Sequence, residues 1–87
     1  MDAERRRAQR YRLVVPVRLQ KARGVTRDIS TAGVFFETEG VQSIGDTVRF
    51  SVDFPDATVQ CEGRVVRVEK LEKKFGIAVE FTTYRFN

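Results

Sequence analysis

Apolar and polar residues alternate with a period of two along most of the chain, and no stretch shows the 3.6-residue period of an amphipathic helix. The alternation is cleanest at Val48, Phe50, Val52 and Phe54, with polar residues between them. Six strands are predicted, at residues 11–20, 24–29, 33–38, 48–54, 58–69 and 75–81. Because closing a sheet hides its edges, so many short strands predict an all-β fold, a small six-stranded antiparallel barrel.

Two of the predicted strands are irregular. Pro16 cannot donate to a β-ladder, so the first strand is expected to lie at an edge or to contain a bulge. Its apolar face is predicted to consist of Tyr11, Leu13, Val15, Val17 and Leu19. In the fifth strand the apolar positions change face: Val59, Cys61 and Val65 share one side, and Val66 and Val68 the other. Gly63 lies beside that change, which predicts a β-bulge or a sharp bend.

Length and composition restrict the class of protein. The chain has 87 residues, of which 41% are hydrophobic and 32% are charged, and this balance is typical of one folded domain rather than of a disordered chain. No apolar run reaches the roughly 18–20 residues that a membrane span needs. Cys61 is the single cysteine, so a disulfide framework is excluded. These observations predict a cytoplasmic protein without a membrane span.

The positive charge is concentrated at the start of the chain. The net charge is +4, and residues 1–23 contain eight Arg or Lys against two Asp or Glu. Residues 1–10 are therefore interpreted as a flexible basic arm and residues 11–87 as the barrel. Such an arm suits the phosphates of a nucleotide, of nucleic acid or of a membrane surface. The alternative is a solvated, disordered tail.

The chain lacks the usual catalytic and metal-binding groups. It has no histidine, so the commonest general base near neutral pH is missing, and one cysteine without histidine excludes an ordinary zinc site. No glycine-rich phosphate loop is present. The sequence therefore predicts a protein that binds rather than catalyses, with no cofactor and no metal.

Two short motifs can bind an anionic, purine-like ligand. Arg6 and Arg10 are four residues apart, and each guanidinium group can donate a pair of hydrogen bonds to a phosphate or to guanine. Asp28 can accept from the N1–H and N2–H₂ groups of guanine, and Ser30 offers a short hydroxyl. Gly33 allows a positive φ and a close approach of the backbone. The alternative for this turn is that its polar side chains satisfy its own backbone.

The order of the two motifs, RxxxR before the first strand and DxSxxG between the second and the third, resembles the PilZ domain family. The final strand, residues 75–81, is also of the family's type. The resemblance implies a six-stranded barrel that binds the bacterial second messenger cyclic di-GMP. It implies that Arg6 and Arg10 grip phosphates and guanine faces. It also implies that Asp28 and Ser30 hold the other guanine by its polar edge, in a turn shaped by Gly33.

Further expectations follow from the resemblance. A cation at Arg5, just before RxxxR, is similar to the variant that accommodates two intercalated ligand molecules, so we hypothesise two ligands per chain. Family members commonly add a helix after the last strand, but only residues 82–87 remain here, so that helix is expected to be short or absent. Ala78 stands where a second glycine is common. Phe35 is expected in the core, with an exposed stacking aromatic as the alternative.

The resemblance implies a regulatory receptor or effector module. On binding cyclic di-GMP the arm is expected to order over the barrel and to create a surface for a downstream protein effector, which the sequence does not identify. One alternative is a PilZ-like interaction domain that has lost nucleotide binding. Another is a barrel for single-stranded nucleic acid, which is disfavoured because the basic charge lies on the arm and the later residues are net acidic.

Overall fold

All regular structure in the part of the chain that the computed structural model describes, residues 9–86, is β-strand. The strands are β1 (Tyr11–Arg12), β2 (Pro16–Arg18), β3 (Arg23–Ile29), β4 (Gly33–Thr38), β5 (Thr47–Asp53), β6 (Thr58–Lys70) and β7 (Phe75–Phe86). Between residues 9 and 86 there is no helix of a length and apolarity that would cross a membrane.

Six of the strands form a closed ring. The order is β3-β2-β5-β6-β7-β4, and pairing between β3 and β4 closes it, with every neighbouring pair antiparallel. The two-residue β1 adds to β3 as an extra strand. The predicted six-stranded antiparallel barrel is therefore confirmed. The last strand is longer than predicted, because β7 continues to Phe86 and pairs with the start of β6.

The predicted first strand is divided between β1 and β2. Thr26, which is fully buried, accepts a hydrogen bond from the Val15 amide at 3.0 Å through its hydroxyl and donates one to the Leu13 carbonyl. Its own amide donates to the Val15 carbonyl at 2.9 Å. The prediction of one continuous apolar face was wrong at its beginning, because Tyr11 and Leu13 are exposed and only the later positions face the barrel.

The core fills the inside of the barrel with valine and phenylalanine. The Phe36 and Phe50 rings contact each other across it, with their centroids 5.5 Å apart. The buried apolar side chains are those of Val15, Val17, Val34, Phe36, Val48, Phe50, Val52, Val59, Cys61, Val65, Ile77 and Val79. Because the side chains of a strand alternate, the residues between these positions form the outer surface.

Two one-residue bulges change which residues face outward. Arg27 is the extra residue where the β3–β4 register shifts between Thr26 and Asp28, and Val66 is the extra residue where the β6–β7 register shifts between Val65 and Arg67. At each bulge two consecutive residues therefore lie on the outer side.

The bulge at Val66 corrects one prediction and confirms another. Val68 returns to the inside and packs against the core, so the prediction that Val66 and Val68 share a face was wrong. The bulge predicted for this strand is confirmed, but it lies at Val66; at Gly63 itself the register also shifts, with the extra residue, Thr82, in β7.

Candidate functional site

A cleft of about 550 Å³ lies on the outside of the barrel, between the β3–β4 turn and the outer faces of β4, β7 and β6. Its volume is within the range of pockets that hold small ligands. The residues that line it include Arg10, Ser30, Gly33, Phe35, Arg67 and Glu80. Three residues singled out from the sequence, Arg10, Ser30 and Gly33, therefore meet at one place.

The β3–β4 turn is held together by Ser30. Its hydroxyl oxygen accepts hydrogen bonds from the amides of Ala32 at 3.1 Å and Gly33 at 3.2 Å. The Ser30 amide donates to the Gly33 carbonyl at 2.8 Å. The alternative considered for this turn, a side chain that satisfies the turn's own backbone, thus applies to Ser30. Ser30 fixes the shape of one wall of the cleft.

Gly33 is required by packing and not by its backbone angle. Its φ is not positive, so that part of the sequence-based expectation was wrong. Gly33 pairs with Glu80 in β7, and a Cβ atom at Gly33 would lie 2.3 Å from the Val79 carbonyl oxygen. The expected close approach of the backbone is present, and the strand that approaches is β7.

Asp28 faces outward because of the Arg27 bulge, and it is paired with Arg10. The Arg10 Nη1 atom donates a hydrogen bond to Asp28 Oδ1 at 2.8 Å, with 68% of the arginine side chain and 27% of the aspartate side chain exposed. Between residues 9 and 86, Asp28 accepts no hydrogen bond from the backbone of the turn. Its carboxylate is therefore directed to the arginine of the arm.

Arg5 and Arg6 lie outside the described residues. Their part in the site stays a prediction, and Arg10 is the one member of the RxxxR pair whose position the structure gives.

The sequence did not identify Arg67 as a site residue, and it offered Phe35 only as the alternative of an exposed stacking aromatic. Phe35 was expected in the core, but it is half-buried on the outer face, and the Arg67 guanidinium carbon lies 5.4 Å from the centroid of its ring. This distance is typical of a cation–π contact. The available signal was the change of face between Val65 and Val68, which marks the bulge that turns Arg67 outward.

The sequence profile of the PilZ domain family matches residues 4–86, nearly the whole chain. The chain belongs to the PilZ domain family. PilZ domains are binding and regulatory modules for cyclic di-GMP and are not a family of enzymes. A search of curated proteins finds no match to the chain.

One buried carboxylate of this PilZ domain lies outside the cleft, on the same strand as Phe35. Glu37, on the outer face of β4, is 7% exposed and lies between two cations. Lys74 Nζ lies 2.6 Å from Glu37 Oε1, and Arg27 donates to Glu37 Oε2. The hydrogen bond from Lys74, followed by that from Arg27, lowers the pKa of the Glu37 carboxyl below its ordinary value. Glu37 thus ties the β3 bulge to the β6–β7 hairpin.

The cleft carries both signs of charge beside an aromatic ring. Arg10 and Arg67 supply guanidinium groups and Glu80 supplies a carboxylate, and the Asp28 carboxylate lies beside the cleft, in contact with Arg10. Guanidinium groups bind phosphates and the O6 and N7 acceptors of guanine, and carboxylates accept from its N–H donors. Within residues 9–86, no group of three metal-ligating side chains is placed to hold an ion.

Proposed function

We propose that this PilZ domain is a cyclic di-GMP receptor module that holds its ligand in the outer cleft. The observation that carries the proposal is the convergence of Arg10, Ser30 and Gly33 on that cleft, with Asp28 in direct contact with Arg10 at 2.8 Å. These residues are separated by up to 23 positions in the sequence, from Arg10 to Gly33. Their meeting supports a shared ligand.

Each residue has a proposed role. Arg6 and Arg10 contact the phosphates and a guanine face. Asp28 accepts hydrogen bonds from the N1–H and N2–H₂ groups of a guanine, because an ionised carboxylate accepts two parallel bonds. Ser30 and Gly33 keep the turn close to β7, so that a planar base can approach the backbone. A purely phosphate-binding surface would have no use for Asp28.

The proposed switch lies in residues 1–10. Cyclic di-GMP would draw the arginines of this segment over residues 11–87, replacing the Arg10–Asp28 contact with contacts to the ligand. The resulting surface would be read by a downstream protein effector in the bacterial cytoplasm. Such a switch needs only a difference in ligand affinity between two positions of the segment.

Isothermal titration calorimetry with cyclic di-GMP tests the proposal. The wild type is expected to bind at micromolar or lower concentration, and both Arg10→Ala and Asp28→Asn to weaken binding by at least about tenfold. Arg49→Ala and Asp56→Asn are matched controls, because these residues do not line the cleft. A short single-stranded oligonucleotide is titrated in parallel.

The outcomes separate the candidate functions. No heat with cyclic di-GMP would reject the proposal and favour an interaction domain without nucleotide binding. Equal weakening by Arg49→Ala would indicate a non-specific charge effect. Tight binding of the oligonucleotide would favour a nucleic-acid-binding barrel.

The number of ligands is a separate part of the proposal. Arg5 adds a cation beside RxxxR, and two intercalated molecules would bring four phosphates to the cleft, so we propose two ligands per chain. Calorimetry with the protein well above the dissociation constant is expected to saturate at two, and Arg5→Ala to reduce the number to one. Saturation of the wild type at one would reject this part alone.

A further inference from the structure

Four residues on four neighbouring strands form one row on the outer face of the barrel. The paired positions are Asp28 with Phe35, Phe35 with Ala78, and Ala78 with Arg67. Both ends of the row depend on a bulge, Arg27 in β3 and Val66 in β6. If β3 and β6 kept all their residues but had no bulge, strict alternation would turn Asp28 and Arg67 inward, like Thr26 and Val65 two positions earlier.

The row places opposite charges at its two ends and a flat centre between them. Three strand spacings separate the backbones of Asp28 and Arg67, a distance of about 14 Å. Ala78 in the centre has only a methyl group, and the Phe35 ring beside it lies over Gly76, where a Cβ atom would be 2.5 Å from the ring. The Arg67 side chain reaches back from its strand, so that its guanidinium group lies over the Phe35 ring, on the side of the ring away from the strand of Asp28.

Arg67 is held in place while its terminal amino groups are left for another partner. Its guanidinium carbon lies 5.4 Å from the Phe35 centroid, and its Nε lies 3.3 Å from Glu69 Oε2. The ion pair uses Nε, so the two Nη groups can donate elsewhere, and 60% of the side chain is exposed. A guanidinium group with two free parallel donors is the usual partner of guanine O6 and N7.

We propose that Arg67, supported by the Phe35 ring, is a specificity-determining residue that binds the second guanine of the ligand at the end of the row opposite Asp28. This inference rests on the proposed cyclic di-GMP site. Adenine presents an amino group where guanine presents O6, so an arginine at this place favours guanine. Arg67 would thus set the preference for cyclic di-GMP over cyclic di-AMP.

The test compares the two cyclic dinucleotides on the full chain by calorimetry. Arg67→Ala is expected to weaken cyclic di-GMP binding by about tenfold or more, and to change cyclic di-AMP binding by less than about threefold. Arg67→Lys retains the charge but has no planar pair of donors. Its preference for cyclic di-GMP over cyclic di-AMP is therefore expected to be as low as that of Arg67→Ala. Arg49→Ala, another exposed strand arginine, should keep the wild-type selectivity.

A second pair of variants tests whether the Phe35 ring supports Arg67 in binding the ligand. Phe35→Leu removes the aromatic face, and Gly76→Ala places a methyl group against the ring while leaving Phe35 and Arg67 unchanged. Each is expected to weaken cyclic di-GMP binding by about threefold or more. Thermal unfolding of each variant shows that it is folded before its affinity is compared.

These measurements distinguish a failure of the role proposed for Arg67 from a failure of the proposed receptor function. If Arg10→Ala loses binding but Arg67→Ala keeps both the affinity and the selectivity of the wild type, the role of Arg67 is rejected and the receptor function stands. If the wild type binds neither dinucleotide, both are rejected. Equal losses of both dinucleotides in Arg67→Ala would also reject a role in selectivity.

Discussion

Arg10 and Asp28 connect the segment before β1 to the outward bulge of β3 through one hydrogen bond of 2.8 Å. The arginine side chain is 68% exposed, and exposed ion pairs contribute only about 0–1 kcal/mol to folding. The pair therefore holds a cleft residue, Arg10, against the neighbouring Asp28 at little gain in stability. Both groups are available to a ligand at a small energetic cost.

Arg10→Ala is accordingly expected to separate binding from stability. The melting temperature should fall by no more than about 4 °C, because the lost ion pair is exposed. The affinity for cyclic di-GMP should fall by at least about tenfold. Differential scanning calorimetry and binding calorimetry on the same preparation check the two effects, and a large loss of stability would instead assign Arg10 to the fold.

Ser30→Ala is expected to act on the turn. The Ala32 and Gly33 amides lose the hydroxyl oxygen that accepts from both of them, and the free energy of unfolding should fall by about 1 kcal/mol. Urea unfolding measures the loss. Ser43→Ala, in an exposed loop, is the matched control and should change stability by less than about 0.5 kcal/mol. If Ser30→Ala has the same free energy of unfolding as the wild type, the turn holds its shape without the hydroxyl group.

The substitution Glu37→Gln is expected to make the free energy of unfolding less dependent on pH in the acid range. Lys74 and Arg27 lower the pKa of Glu37 below its ordinary value of 4.5 in the folded state, so the unfolded state binds the proton first as the pH falls. The stabilisation is therefore complete above pH 4.5 and is lost as the pH falls through the lower, folded-state pKa.

Melting temperatures between pH 3 and 7 check this dependence. The wild type should melt above Glu37→Gln at neutral pH, and the difference should shrink in acid. Glu72→Gln, at the exposed hairpin tip, should follow the wild type. A constant difference between the wild type and Glu37→Gln across this range would contradict the role of the carboxylate charge.

Cys61 is expected to react slowly with thiol reagents. Burial in the barrel raises the pKa of its thiol from 9.0 to about 11, and its exposed fraction is 5%. At pH 8 the thiolate population of the folded protein should be about a hundredfold below that of the unfolded chain. Alkylation by iodoacetamide, followed by mass spectrometry with and without urea, measures the ratio. Equal rates would mean that the barrel opens at Cys61 on the time scale of the reaction.

Much of the barrel could be predicted because its strands alternate strictly where they are regular. Val48, Phe50 and Val52 all enter the core as their pattern indicated. The DxSxxG turn was also predictable, since Ser30 acts through neighbouring amides. Local patterns of this kind are visible in a single sequence because the partners lie within a few residues.

The interruption of the first predicted strand and the entry of Arg67 into the cleft could not be predicted, because both depend on residues that are distant in the sequence. Leu13 leaves the apolar face because its carbonyl is bonded to Thr26, thirteen positions later. Phe35 was expected in the core because phenylalanine is usually buried, although the alternation of its strand groups it with Glu37 and opposite Val34 and Phe36. Arg67 enters the cleft only through the bulge at Val66, which the sequence marked as a change of face without showing its consequence.

The bulges at Arg27 and Val66 have a consequence for how this domain tolerates change. Each adds one residue to its strand, so Asp28 and Arg67 face outward although they lie two positions after the inward-facing Thr26 and Val65. Deleting Arg27 or Val66 would place Asp28 directly after Thr26, or Arg67 directly after Val65, and simple alternation would keep both side chains on the outer face. Each of the two strands can therefore lose its bulge residue and keep core and cleft in register, whereas straightening either strand with all its residues would turn Asp28 or Arg67 into the barrel.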